Sequence, residues 1–286
     1  ERYSNGMSAV VGEENDPFNK VNLNVGLSGQ LASKVDWNLG WNRDEINADF
    51  DNSFPIEQAD YKYTIELDRF SLITKYSYEG GSLNLNAGYQ TNKRDFQYSY
   101  LLNYESNNLN IDVFNKYIFN NNFYTIMGFQ HQKGTMKADY NPNVSQSDVY
   151  FNSVYLDPSG LNLNVGVRYN NHNTYDGHWI YSINPSYSFD MNDYYQMKIL
   201  TSYSKAFLPP GLYQLYDPSY GNIDLNPENN LSFEFGTEIR SNQNTLSAVY
   251  FKRKEDPTLI FGRSIDGYPY GRYSNSHQEI KYRGLE

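Results

Sequence analysis

Two groups of residues have the types and spacing to do chemistry. The stretch RDEINADFDNSFPIEQAD, residues 43–60, carries Asp44, Asp49, Asp51 and Asp60. In an extended chain Asp49 and Asp51, at i and i+2, point the same way, and hard cations such as calcium take ~6 to 8 oxygen ligands, several of them carboxylates. A solvated acidic loop is the competing reading. The second group is aromatic: Phe96, Tyr98, Tyr100 and Tyr104, then Tyr213, Tyr216 and Tyr220, then Tyr268, Tyr270 and Tyr273. Large rigid rings contribute apolar area while their hydroxyls orient a polar ligand. Tyr98, Tyr100, Tyr213, Tyr216, Tyr220 and Tyr270 are therefore candidate ligand contacts; the competing reading, for about half of all these rings, is the outer aromatic girdle of a membrane protein.

Catalysis finds no comparable support. His131, His172, His178 and His277 lack metal-ligand spacing, and no nucleophile motif or phosphate-cradling glycine loop follows a strand. With no Cys in the chain, disulfides and thiol chemistry are excluded. A net charge of -10 argues against a general nucleic-acid binder, which needs clustered Lys and Arg to neutralise phosphates. The chain reads as a binder rather than an enzyme.

The elements that must position these residues are strands. LNLNVGVRYN, residues 161–170, sets Leu161, Leu163, Val165 and Val167 against Asn162, Asn164, Gly166 and Arg168, and near copies occur at 21–30 and 82–90. Reading for this period gives about 13 strands of roughly 10 to 15 residues, the first near Val21 and the last near Tyr268. Short connections at 31–34, 79–81, 120–122, 157–160, 190–193 and 241–243 alternate with longer ones at 44–61, 96–107, 138–147, 171–177 and 207–229. Such alternation is expected of an up-and-down sheet with turns at one end and loops at the other.

Which solvent meets the apolar side follows from length and composition. Strands of a soluble sandwich are typically ~5 to 6 residues, whereas a tilted membrane strand needs ~9 to 11. Aromatics make up 17% of the chain, with 29 Tyr, and Trp37, Trp41 and Trp179 suit interfacial belts. Asn, Gly and Ser on the opposite faces suit a wet lumen. No run approaches the ~18 apolar residues of a membrane helix. The expected fold is all-β: a transmembrane antiparallel up-and-down β-barrel. Bacterial single-chain barrels are even-numbered and closed, so about 13 strands implies part of a larger one.

The most specific passage is SYSKAFLPPGLYQLYDPSYGNIDLNPENNLSFEFG, residues 202–236. Pro209 and Pro210 lack backbone donors and stop the ladder; Gly221 and Asn222 supply turn chemistry; Glu228 is placed to accept backbone N–H groups where the next strand begins. Ser204, Ala206, Phe207, Pro209 and Pro210, followed by Gly221, Asn222, Leu225, Pro227 and Glu228, resemble a segment of TonB-dependent outer-membrane receptors. GLYQLYDPSYGN is similar to their cobalamin-transporter branch, and Gly284 with Glu286 fits a strand start in the wider family.

That resemblance implies a location in the bacterial outer membrane and active import of cobalamin or a related corrinoid. It makes residues 1–286 a middle portion of a barrel of about 22 strands, with the plug domain and C-terminal strands outside the chain and the TonB energy-transducing protein contacted through that plug. No cofactor is required, but calcium held between neighbouring loops is implied for this branch. Asp49, Asp51 and Asp95 are the candidate ligands, with Ser99 standing where a further acid would strengthen the match. Three alternatives stay open: another cargo such as a siderophore, haem or a different vitamin; a soluble β-rich carbohydrate-binding or adhesion protein; and a passive porin.

Overall fold

The alternation that defines the strands in the sequence persists beyond the apolar runs, and the strands are correspondingly long. The computed structural model describes residues 2–4, 15–53, 56–98, 101–137, 141–262, 267 and 269–286. In chain order the strands are β1 (Arg2–Ser4), β2 (Phe18–Leu31), β3 (Val35–Ser53), β4 (Ile56–Tyr78), β5 (Gly81–Gln97), β6 (Leu101–Asn120), β7 (Phe123–Met136) and β8 (Asn143–Leu156). They continue with β9 (Leu161–His172), β10 (Asp176–Asn192), β11 (Tyr195–Leu208), β12 (Glu228–Arg240), β13 (Thr245–Glu255), β14 (Leu259–Gly262), β15 (Arg272–Asn275) and β16 (Ile280–Leu285). One helical turn, α1 (Leu212–Tyr216), lies between β11 and β12. Among the described residues fourteen strands form one up-and-down sheet, β1 to β13 followed by β16, and β14 pairs separately with β15. Residues 1–77, 84–112 and 131–143 make one compact unit; 78–83, 113–130 and 144–286 make a second.

In the first unit the antiparallel register sets Val25 opposite Trp41 and Leu27 opposite Leu39, and β4 adds Phe70 and Leu72 to the same face. These side chains are open to solvent: Val25 is 53% exposed, Leu27 61% and Phe70 51%. In the second unit Val167, Tyr169, Trp179 and Ile183 share a face in the same way and are likewise exposed. Only Ala48, Val154, Leu215 and Leu225 are buried hydrophobics among the described residues, so no second protein layer covers these faces. A contiguous apolar surface of this kind is untenable in water and is what a lipid-facing strand presents.

The other face is polar. In the first unit Asn24 donates to Asn22 at 2.6 Å and Asn42 to Asn24 at 2.6 Å, while Arg69 binds Asp44 at 2.8 Å. Where the apolar face ends, the change is made within one row: the Trp41 indole donates to Asp68 at 3.2 Å, and Arg43 donates to the other oxygen of the same carboxylate at 3.0 Å. An aromatic ring with its polar tip bound in this way is suited to the edge of hydrocarbon. At the opposite end the turns are tight. Gly160 has φ +102°, and a Cβ there would lie 1.8 Å from the Ser188 carbonyl, so the turn at 157–160 requires glycine.

Three expectations need correction. The connections expected at 44–61 and 96–107 are largely ladder: β3 runs to Ser53, β4 starts at Ile56, β5 reaches Gln97 and β6 begins at Leu101. Apolar alternation fails there because both faces are polar beyond the membrane edge, yet the backbone pairing of β3 with β4 continues from Val35 to Phe50. Strand lengths reach 23 residues in β4, longer than hydrocarbon alone demands. Finally, the strand expected to begin near Tyr268 is divided into two short ones: β15, which pairs with β14, and β16, which joins the main sheet; Tyr268 itself lies outside the described residues.

Candidate functional site

Alternation through the polar ends of β3, β4 and β5 gathers rings on one face of the first unit. Phe50 is paired with Tyr61, and Ala48 with Tyr63, so all four belong to the face that carries Asn42 and Asp44. Phe50 meets Tyr61 at 5.7 Å, Tyr63 at 6.0 Å and Tyr98 at 5.4 Å between ring centroids. Tyr98 meets Tyr61 at 5.3 Å, and Phe96 continues the array to Tyr63, Tyr98 and Tyr104 at 6.2, 6.4 and 6.2 Å. The result is a shelf of six half-buried rings on the polar face. Edge-to-face, tilted and stacked pairs at these distances hold one another's orientation. Of the residues singled out in the sequence, Tyr98, Phe96 and Tyr104 are here; Tyr100 lies outside the described residues. Phe50 and Tyr61 were missed because residues 44–61 were read as loop, and Tyr63, in the strand expected from near Lys62, was not singled out. Carrying the period-2 pattern through the acidic residues would have found them.

The carboxylates are placed otherwise. Register sets Asp49 opposite Lys62, on the face shared with Arg43 and Glu45 and away from the rings. Asp51 is nearly buried, just past the register shift between Phe50 and Asn52. Asp95, next to Phe96, is exposed and by alternation faces away from the shelf. Among the described residues no three His, Cys, Asp or Glu side chains converge where a metal ion could bind, so the structure does not bring Asp49, Asp51 and Asp95 together as a chelating set.

A second constellation lies in the second unit. Pro210, Leu215 and Leu225, all within the connection from β11 to β12, are buried. Asp217 accepts the backbone N–H groups of Ser219 and Tyr220, both at 2.9 Å, and closes the turn after α1. Tyr213 stands edge-on to Tyr273 at 6.2 Å, Tyr220 meets Phe261 at 5.8 Å, and Phe261 meets Tyr273 at 5.1 Å. Tyr220 is thus engaged with its neighbours, Tyr213 stays 42% exposed, and Tyr270 is 75% exposed. Tyr216 lies beside Tyr175, whose phenol is pushed above its usual range first by burial and then by Tyr216. Glu228 accepts the Leu259 backbone N–H at 2.5 Å, the role expected of it from the sequence.

A long up-and-down sheet with a bare apolar face, an amide-rich polar face and aromatic groups at its loop end defines a transmembrane β-barrel wall. The chain belongs to the TonB-dependent receptor-like β-barrel family, whose model matches residues 3–286. This is a family of bacterial outer-membrane transporters, not enzymes, and the fold and location expected from the sequence hold.

Among characterised proteins, the vitamin B12 transporter BtuB of Vibrio cholerae is 36% identical over 66 residues, which is 23% of this chain and 10% of the transporter. Among solved structures, the ferric enterobactin receptor PfeA of Pseudomonas aeruginosa superposes with a TM-score of 0.77 at 13% identity, over 99% of this chain and 50% of the receptor. The hemophore receptor HasR of Serratia marcescens gives 0.75 at 14%, over 94% and 51%. The chain therefore spans about half the length of these solved receptors.

Proposed function

We propose that this chain is the cargo-recognising part of a receptor that imports cobalamin or a related corrinoid across the outer membrane. The observation that carries the reading is the shelf of Phe50, Tyr61, Tyr63, Phe96, Tyr98 and Tyr104 on the polar face. A corrinoid is a large disc with apolar faces and an amide-rich rim; rings accept the faces, and the Asn residues below them hydrogen-bond amides. The local likeness to vitamin B12 transporters supports the same cargo. In the full-length receptor a plug domain and further strands complete the barrel, and TonB supplies energy through the plug.

The competing cargo is a siderophore or haem, favoured by the solved receptors of the same fold. The test is saturable binding of radiolabelled cobalamin to the full-length receptor in detergent, with ferric catecholate and haem as competitors, run with and without calcium. Calcium enhancement would give Asp49, Asp51 or Asp95 a ligand role. No saturable cobalamin binding in either condition, with displacement of a labelled siderophore instead, ends the corrinoid reading and leaves the receptor class intact.

A further inference from the structure

Alternation along β13 carries its apolar face from Leu246 and Ala248 through Tyr250 to Lys252 and Lys254. Register with β12 and β16 sorts this lipid-facing side into rows: Phe235, Tyr250 and Leu285; then Phe233, Lys252 and Arg283; then Leu231, Lys254 and Lys281. The three side chains of the first row are large, apolar and exposed. The cations above them stand toward the loop end, because the short turn from β12 to β13, at 241–244, lies at the other end of both strands. In barrels of the outer membrane the loop end is the extracellular one.

Lys252 is directly opposite Arg283, and Lys254 directly opposite Lys281. Two like-charge pairs in succession, with Cβ atoms about 5 Å apart, destabilise a ladder unless something neutralises them. The upper pair has Glu279, which is bonded to Lys254 and lies 2.7 Å from Lys281. The lower pair is exposed and has no carboxylate bonded to it among the described residues; the next side chain in its row is Phe233. Other cations of the sheet are matched. Arg253, the neighbour of Lys252 on the opposite face, binds Glu255 at 2.7 Å and lies over the Tyr282 ring, and Arg43, where the apolar face of the first unit ends, is bonded to Glu45, Glu66 and Asp68. An uncompensated cationic pair at the border of hydrocarbon is complementary to an anion held at that level, and the phosphate of a lipid headgroup is such an anion.

We propose that Lys252 and Arg283, with Lys254 and Lys281 above them, bind the phosphate of an outer-leaflet lipid whose acyl chains lie along Phe235, Tyr250 and Leu285. Arg283 offers a planar fork for two phosphate oxygens and Lys252 a compact charge beside it. The bound phosphate offsets the repulsion between them. The site faces lipid rather than lumen and holds whatever the cargo.

The test is native mass spectrometry of the full-length receptor in detergent, titrated with phosphatidic acid and with phosphatidylcholine of the same chains. Phosphatidic acid, which exposes a phosphomonoester, should be retained in preference. Lys252→Gln and Arg283→Gln should each weaken its binding about tenfold, the scale of one charge-assisted contact, and Lys252→Arg should keep it. Arg253→Gln removes the same charge one residue along, on the other face, and should leave lipid binding unchanged. Inorganic phosphate at matched ionic strength should not displace the lipid, because the acyl chains hold it to the apolar rows. Without lipid, Lys252→Gln should melt at the wild-type temperature or above, since one member of an opposed like-charge pair is gone; weaker lipid binding is then not a folding defect. Equal retention of the two lipids, equal losses in Arg253→Gln and Lys252→Gln, or displacement by inorganic phosphate would overturn the site. A Lys252→Gln receptor that melts below wild type without lipid would do the same, by showing that the pair is already compensated within the protein.

Discussion

Replacing Phe50 by Ala tests the aromatic shelf at its centre. Phe50 touches Tyr61, Tyr63 and Tyr98 with centroids 5.4 to 6.0 Å away, and each such pair is worth about 0.5–1.5 kcal/mol beyond the area it buries. Its removal leaves Tyr61 and Tyr98 without the ring that orients both, so a ligand lying on the shelf loses direct contact and also meets mobile partners. A loss of about 2 kcal/mol in binding follows, the lower end of an interface hot spot and roughly 30-fold in Kd. The barrel wall should keep its stability, because Phe50 lies beyond the Trp41 row where the apolar face ends. Lys62→Ala is the matched control: Lys62 is opposite Asp49, at the same height on the other face. The assay is equilibrium binding of labelled cobalamin to the full-length receptor in detergent, with Tm measured on the same samples. Equal affinities for wild type and Phe50→Ala, or equal losses in Phe50→Ala and Lys62→Ala, would refute the shelf as the binding surface.

Other expectations concern the membrane face, the base of the loops and the entrance to β16. Leu27→Arg, in the middle of the exposed apolar face of β2, should destabilise the receptor by about 2–4 kcal/mol in lipid, whereas Asn24→Arg on the polar face should be tolerated; reversible urea unfolding in bilayers measures both. Glu228→Gln exchanges a charge-assisted acceptor for a neutral one at Leu259, costing about 1 kcal/mol, and the Leu259 amide should exchange about five times faster. Glu279, bonded first to Lys254 and then to Lys281, has its carboxyl held below its ordinary 4.5. A depressed carboxylate stabilises above its unfolded pKa, and that stability is lost as pH falls through the lower folded value. Glu279→Gln should therefore quicken amide exchange in β16 at pH 7, with the difference from wild type closing on acidification below 4.5; a difference that persists there would show that the ion pairs are not its cause.

Much of this molecule was written in the side-chain alternation of its strands. Leu161 to Val167 and Val35 to Trp41 fix which face is apolar, because period 2 leaves a strand no other choice, and the lack of any shared core among so many rings points to lipid. The stretch from Ser204 to Glu228 carries the family, and Glu228 holds the backbone partner that its position at a strand start required. Where apolar alternation stops, the sequence gives less. Beyond the hydrocarbon edge both faces of β3 and β4 are polar, so Asp49 and Asp51 resemble a loop although hydrogen-bond register keeps the ladder going to Phe50. That register is a pairing between strands, and only the folded sheet turns Phe50, Tyr61, Tyr63 and Tyr98 toward one another while turning Asp49 away. The hydrogen bonds joining Asn226 to Asn275 and Tyr175 to Leu225 span roughly 50 residues each. Local propensity carries no information about such contacts; they exist because the sheet brings its loop ends to the same edge.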